Sequence, residues 1–283
     1  MTQGVVTGAR DVFWPTLRQL TLACKEAFVP IAIADHGLLK PQRHWLEYHG
    51  AEMLDGPFGY DVDVLEIGKR SPAKMDVRTW WKPQVCLASP FERTLWIDAD
   101  AVPIRGLHEM FELLAEGPWV AQEDYVTHKR AAEIYTPNVV EVCGELPEHF
   151  PEVSYIGAGV MGFNHGDPWL TEWQAMCERF IASDSLLANC RCSDQNALVT
   201  LLSQKPDVGP RVITDRRCNW AANGLAIQHV TRRKRYDWTT NLLPEFREDH
   251  PEAYVVHWCG RPKPWEVPPP VNYPRPRHYR TTS

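Results

Sequence analysis

One segment constrains the architecture more than any other. In Thr94 to Ile104, TLWIDADAVPI, an apolar run, Leu95-Trp96-Ile97, closes on Asp98-Ala99-Asp100. A short apolar run bounded by polar residues reads as a strand buried in a sheet. Burying two acids along such a strand without compensation would cost several kcal/mol, so they mark its carboxyl end. In open α/β sheets that end is where ligands sit, near a point where the strand order reverses. A divalent cation would compensate the pair, because hard ions such as Mg²⁺ or Mn²⁺ take oxygen ligands and keep positions open for phosphates. A lone Asp-x-Asp is more often a helix cap or an ion-pair partner, so its company decides.

That company is an alternation of strand and helix patterns. Gly4 to Thr7 reads as a strand, followed by a turn through Gly8 to Asp11 and a helix to about Ala27, with Pro15 in its first turn. Ile31 to Ala34 is a strand stopped by Asp35-His36-Gly37, and a helix follows from about Pro41 to His49. Val62 to Ile67, Val153 to Phe163 and Val255 to Trp258 read as further strands, and Gly106 to Leu114 and Pro168 to Ile181 as helices. A helix between Trp80 and Ser89 carries Lys82. Such alternation predicts an α/β fold with a largely parallel sheet and helices on both faces. Residues 1–266 are expected to form one domain, and the proline-rich stretch from Val267 to Ser283 a tail.

Composition narrows the function. A net charge of -6 argues against nucleic acid as a partner. Hydrophobic residues at 44% and charged residues at 23% are globular values, and a chain of 283 residues can bury a sizeable core. No stretch reads as a transmembrane segment or a signal peptide, which predicts a cytoplasmic protein with reduced thiols at its 8 cysteines. Cys190-Arg191-Cys192 reads as two ordinary thiols, since zinc pairs are spaced more widely. The basic stretch Thr231 to Trp238 reads as a solvated loop. Trp80, Trp81 and Trp96 read as core, whereas Trp220, Trp258 and Trp265 fall nearer the proposed site.

A second motif, HWCGRPKPW from His257 to Trp265, supplies an imidazole, a glycine that lets backbone approach a ligand, and a lysine suited to a diphosphate. Taken with WIDADAVPI, it resembles glycosyltransferase family 8, the glycogenin and bacterial galactosyltransferase group. YIGAGVMGFN at Tyr155 to Asn164 and SDQNAL at Ser193 to Leu198 stand where that family carries an NSGV-like strand and an Asp-Gln pair. The resemblance spans roughly residues 4–266 and implies the GT-A fold, a Rossmann-type mixed, mainly parallel sheet.

Carried over by position, the resemblance implies that Asp98, Asp100 and His257 hold Mn²⁺, with Mg²⁺ as the other candidate. Asp98 and Ala99 would also face the nucleotide, and Gly260 and Lys263 the diphosphate. Gly8 and Ala9 would grip uracil through their backbone, with Trp14 covering the base. Lys82 would face the donor, and Asp194 with Gln195 would line the sugar and acceptor side. The family implies transfer of a hexose from a UDP-sugar to an acceptor hydroxyl, with retention of anomeric configuration. The acceptor itself, whether glycan, protein, lipid-linked saccharide or small molecule, is not legible.

Three rivals remain. A haloacid-dehalogenase-like phosphatase would use Asp98 as nucleophile and Asp100 as acid, but it expects the motif early in the chain and later paired acids, for which Glu123-Asp124 is the one candidate. A nucleotide-sugar-binding pseudoenzyme would not need Lys82, Lys263 and His257 together with both acids. A nucleotidyltransferase would show a Gly-rich basic loop after the first strand.

Overall fold

The structure, a computed structural model, describes residues 2–59, 77–122, 139–148, 156–183, 193–221 and 251–258. The order is β1 (Gln3–Ala9), α1 (Trp14–Glu26), β2 (Ile31–Asp35), α2 (Lys40–Tyr48), β3 (Glu52–Leu54), α3 (Lys82–Leu87), β4 (Arg93–Ile97) and β5 (Ala101–Pro103). It continues through α4 (Leu107–Glu112), β6 (Trp119–Gln122), β7 (Ile156–Asn164), α5 (Pro168–Ile181), α6 (Ser193–Gln204), β8 (Arg211–Ile213), β9 (Trp220–Ala221) and β10 (Val255–His257).

Seven strands form one sheet in the order β3-β2-β1-β4-β7-β6-β8. The first four are mutually parallel, β7 runs antiparallel to both neighbours, and β8 is parallel to β6. Period-two alternation sends successive side chains to opposite faces. On β4, Leu95 and Ile97 join a core with Leu17 and Leu20 of α1 and Met110 and Phe111 of α4. Trp96 points the other way, into a core with Trp169 and Trp173 of α5 and Leu198 of α6. Each large side chain so buried contributes about 1.5–3 kcal/mol, and both faces are covered. The expectation of an α/β sheet clad on both sides is met.

A second sheet, β5-β10-β9, carries the strand expected at Val255 to Trp258 as β10, but its partners β5 and β9 were not legible in the sequence. They have only three and two residues, too short to show a period. Other boundaries shift slightly. Gly106 takes a positive φ of 73° and caps α4 rather than starting it, and the chain tightens into a 3-10 turn over Leu113–Glu116. The expected strand at Val62 to Ile67, the Cys190-Arg191-Cys192 pair, the basic loop, Gly260, Lys263 and the tail lie outside the described residues. Among the described residues, no helix is long and apolar enough to cross a membrane.

Candidate functional site

Asp98 leaves β4 with its N–H still donating to the carbonyl of Gly159 on β7, at 2.8 Å. The chain then turns tightly, the N–H of Ala101 reaching back to the Asp98 carbonyl at 2.8 Å, and continues into β5. Asp100 therefore lies on the crossover between the two sheets. β10 pairs antiparallel with β5 in a register that sets His257 opposite Ala101. The N–H of Trp258 also donates to the Asp100 carbonyl, at 3.0 Å. This pairing carries the imidazole to the acids.

His257 Nε2 lies 3.2 Å from Asp100 Oδ1 and 3.8 Å from Asp98 Oδ2. One donor atom from each of the three side chains falls within 4.8 Å of the others. The imidazole lies close to β7 where there is no side chain. A Cβ on Gly159 would overlap the ring edge and stand 2.7 Å from Nδ1 and 3.1 Å from Asp98 Oδ2. Glycine is required there by close approach.

A second group adjoins the first. Lys82, at the start of α3, is buried, and its ammonium donates to the Ala158 carbonyl at 2.8 Å. It also pairs with Asp194 Oδ2 at 2.8 Å and Asp98 Oδ1 at 3.0 Å. Burial opposes its charge, but Asp194 and then Asp98 outweigh that and raise its pKa, so it is protonated across the physiological range. Burial pushes the Asp194 carboxyl up, while Lys82 pulls it back. Asp194 sits in the first turn of α6, where a negative charge suits the helix dipole. The indole N–H of Trp173 fixes its backbone carbonyl at 2.8 Å. Gln195 follows it, also buried.

Trp96 proves more than core. Its indole N–H donates to Asp98 Oδ1 at 2.6 Å. Asp98 Oδ1 is thus held by Trp96 and Lys82, while Oδ2 faces His257. A cleft opens over this arrangement. Gly8, Ala9 and Arg10 from the end of β1 line it, with Phe13, His36 beyond β2, and Arg78 and Thr79 before α3. Asp98, Ala99 and Asp100 close its other side with Lys82 and Trp96. A Cβ on Gly8 would collide with the imidazole of His36, which keeps that wall thin.

Most sequence-predicted site residues that the structure describes are therefore brought together. Trp14 is placed differently: it packs edge-on against Trp45, with ring centres 5.3 Å apart, and the Arg18 guanidinium lies 5.8 Å from its ring centre. Phe13 is the aromatic of that turn that lines the cleft. Sequence reasoning missed Asn219, whose Oδ1 lies 3.1 Å from His257 Nδ1, and the cleft-facing Arg10, His36 and Arg78. Only long-range pairing marks Asn219, so no local pattern could have found it.

No family model and no curated protein sequence matches the chain. Solved structures do. The galactosyltransferase LgtC, solved with donor and acceptor sugar analogues, aligns with a TM-score of 0.57 at 16% identity, covering 93% of this chain and 89% of that one. The glycosyltransferase GlyE of Streptococcus pneumoniae TIGR4 aligns with a TM-score of 0.52 at 14% identity, covering 94% of this chain and 56% of that longer one. The fold is thus that of the GT-A glycosyltransferases, and the family 8 resemblance holds at the level of fold.

Proposed function

We propose that the chain is a metal-dependent, retaining glycosyltransferase that moves a hexose from a nucleotide donor, a UDP-sugar, to an acceptor hydroxyl. One observation carries this reading: two carboxylates and an imidazole converge at the carboxyl edge of the sheet, beside a cleft. This donor set, oxygen and nitrogen without thiolate, fits Mn²⁺ or Mg²⁺. Asp98 Oδ2, Asp100 and His257 Nε2 would hold the ion. When bound, it supplies positive charge to a departing diphosphate.

The remaining roles rest on the family 8 resemblance, with the residues that line the cleft in support. The backbone of Gly8 and Ala9, with Phe13 beside them, receives the base, and Ala99 lies between the acids on the nucleotide side. Lys82 adds fixed positive charge next to the metal ligands, though its hydrogen bonds go to Asp98, Asp194 and Ala158. Asp194 and Gln195 serve the sugar and acceptor side, Asp194 by stabilising positive charge at the reacting carbon or orienting the acceptor. Gly260 and Lys263 are assigned to the diphosphate. Preorganised charge of this kind typically contributes a few kcal/mol to the transition state.

The test is a donor-hydrolysis panel of UDP-, GDP- and TDP-sugars with Mn²⁺, scoring released nucleotide against Asp100→Ala. Many transferases pass their sugar slowly to water, so no acceptor is needed. Metal-dependent release from one UDP-sugar, absent in the variant, is the expected outcome. Undiminished release by Asp100→Ala, or silence across the panel with no UDP binding, would overturn the reading.

A further inference from the structure

We propose that Asn219 is a positioning residue that decides which nitrogen of His257 faces Asp98 and Asp100; the inference rests on the metal-site reading above. Asn219 closes a 3-10 turn, Arg216–Asn219, directly before β9. Because β9 pairs in parallel with β10, Trp220 against Val256 and Ala221 against His257, the register delivers Asn219 beside the imidazole. Both residues are buried, Asn219 at 2% and His257 at 7% exposure, and Asn219 Oδ1 lies 3.1 Å from His257 Nδ1.

An amide oxygen only accepts, so Nδ1 must carry the hydrogen. In the neutral imidazole Nε2 then offers its lone pair on the side of Asp100 Oδ1, at 3.2 Å, and Asp98 Oδ2, at 3.8 Å, the atom a cation would take. The opposite neutral tautomer would put the hydrogen on Nε2 and leave Nδ1 a bare acceptor against the Asn219 oxygen, a contact that this geometry disfavours. The ring also lies close to the bare backbone of Gly159, where a Cβ would stand 2.7 Å from Nδ1. Outer partners of this kind fix a ligating histidine's tautomer, and their loss weakens metal affinity about 10–100-fold.

Mn²⁺ binding, followed by electron paramagnetic resonance on the full chain, tests this with Asn219→Leu, Asn219→Asp, His257→Ala and the Leu/Ala double variant. Asn219→Leu is expected to bind Mn²⁺ about 10–100-fold more weakly than wild type. Asn219→Asp, which keeps the oxygen, should bind within the same order of magnitude as wild type, and the double variant should match His257→Ala alone. Wild-type affinity in Asn219→Leu, or a loss that persists on the His257→Ala background, would overturn the assignment. Nitrogen NMR of the metal-free imidazole, assigned by His257→Ala, keeps the question open to refutation if Asn219→Leu fails to fold. Nδ1–H is expected, and Nε2–H would refute the proposal by showing the amide turned the other way. Absence of Mn²⁺ and Mg²⁺ binding by wild type, with the Nδ1–H tautomer present, would instead sink the metal-site reading while leaving the orienting contact intact.

Discussion

Two clusters of charge meet at Asp98, and they are built on opposite principles. Lys82 and Asp194 form an internally satisfied pair: one ammonium meets two carboxylates and a carbonyl, and the Asp194 side chain keeps only 8% of its surface exposed. Asp98 Oδ2, Asp100 and His257 form a more open one, with 24% and 14% of the two acids' side chains exposed. The first matches its charges within the protein and so serves as scaffold, beside the role proposed for Asp194 toward the sugar. The second opens on the cleft and, in the reading proposed above, acts as receptor. Asp98 belongs to both, one oxygen in each, so the scaffold's geometry is transmitted to the receptor through a single carboxylate.

The sharpest way to break this contrast is Lys82→Met. It leaves Asp194 buried without its cation, which should cost about 3–5 kcal/mol of stability, read as a fall in denaturation midpoint. The pH dependence has a definite sign. Burial already raises the folded Asp194 carboxyl above the ordinary carboxylate range, and losing Lys82 raises it further. A group with a raised folded pKa is most favourable to folding below its unfolded value, and that contribution is lost as pH rises through the folded one. The variant's deficit should therefore be smallest near pH 4 and grow toward neutrality. A deficit independent of pH would show that Lys82 matters through packing alone.

Gly159→Ala strikes the receptor from the opposite side. The new methyl overlaps the His257 ring and stands 3.1 Å from Asp98 Oδ2. Overpacking of this kind costs about 1–3 kcal/mol, less than the lost ion pair. Mn²⁺ affinity should nevertheless fall by more than in Lys82→Met, because the imidazole is displaced directly. The reverse ranking of affinities would mean that the ligands are held through Lys82.

How much of this was legible in sequence follows the same division. The acids at the end of β4, the helix bearing Lys82 and the alternation that builds the parallel half-sheet are local patterns with a period or a stop signal, and they read correctly. The site as an assembled object is not local. His257 reaches Asp100 through a three-residue strand, and Asn219 reaches His257 through a two-residue one. The strand of His257 was read from its apolar pair and its role from motif resemblance, whereas nothing located Asn219, because a two-residue strand carries no period. Trp96 was read as core, which it is, but a period-two pattern cannot show that an indole N–H ends on a carboxylate. Trp14 and Phe13 are neighbours at a helix entrance, and which ring turns to the cleft depends on the packing partner Trp45.

The smallest effect is the most discriminating. In metal-free protein Asp100→Ala removes one of two neighbouring carboxylates, so stability should change by no more than about 0.5 kcal/mol, or rise. Adding Mn²⁺ at about 100 times its dissociation constant should stabilise the wild type by about 2.7 kcal/mol and leave the variant unmoved. The order of the two melting temperatures is then set by the metal: near equality without it, wild type well ahead with it. If Asp100→Ala is instead markedly destabilised without metal, Asp100 and His257 are already an ion pair of the same kind as Lys82 and Asp194. Both clusters would then be scaffold, with Asp100 held to His257 as Asp194 is held to Lys82.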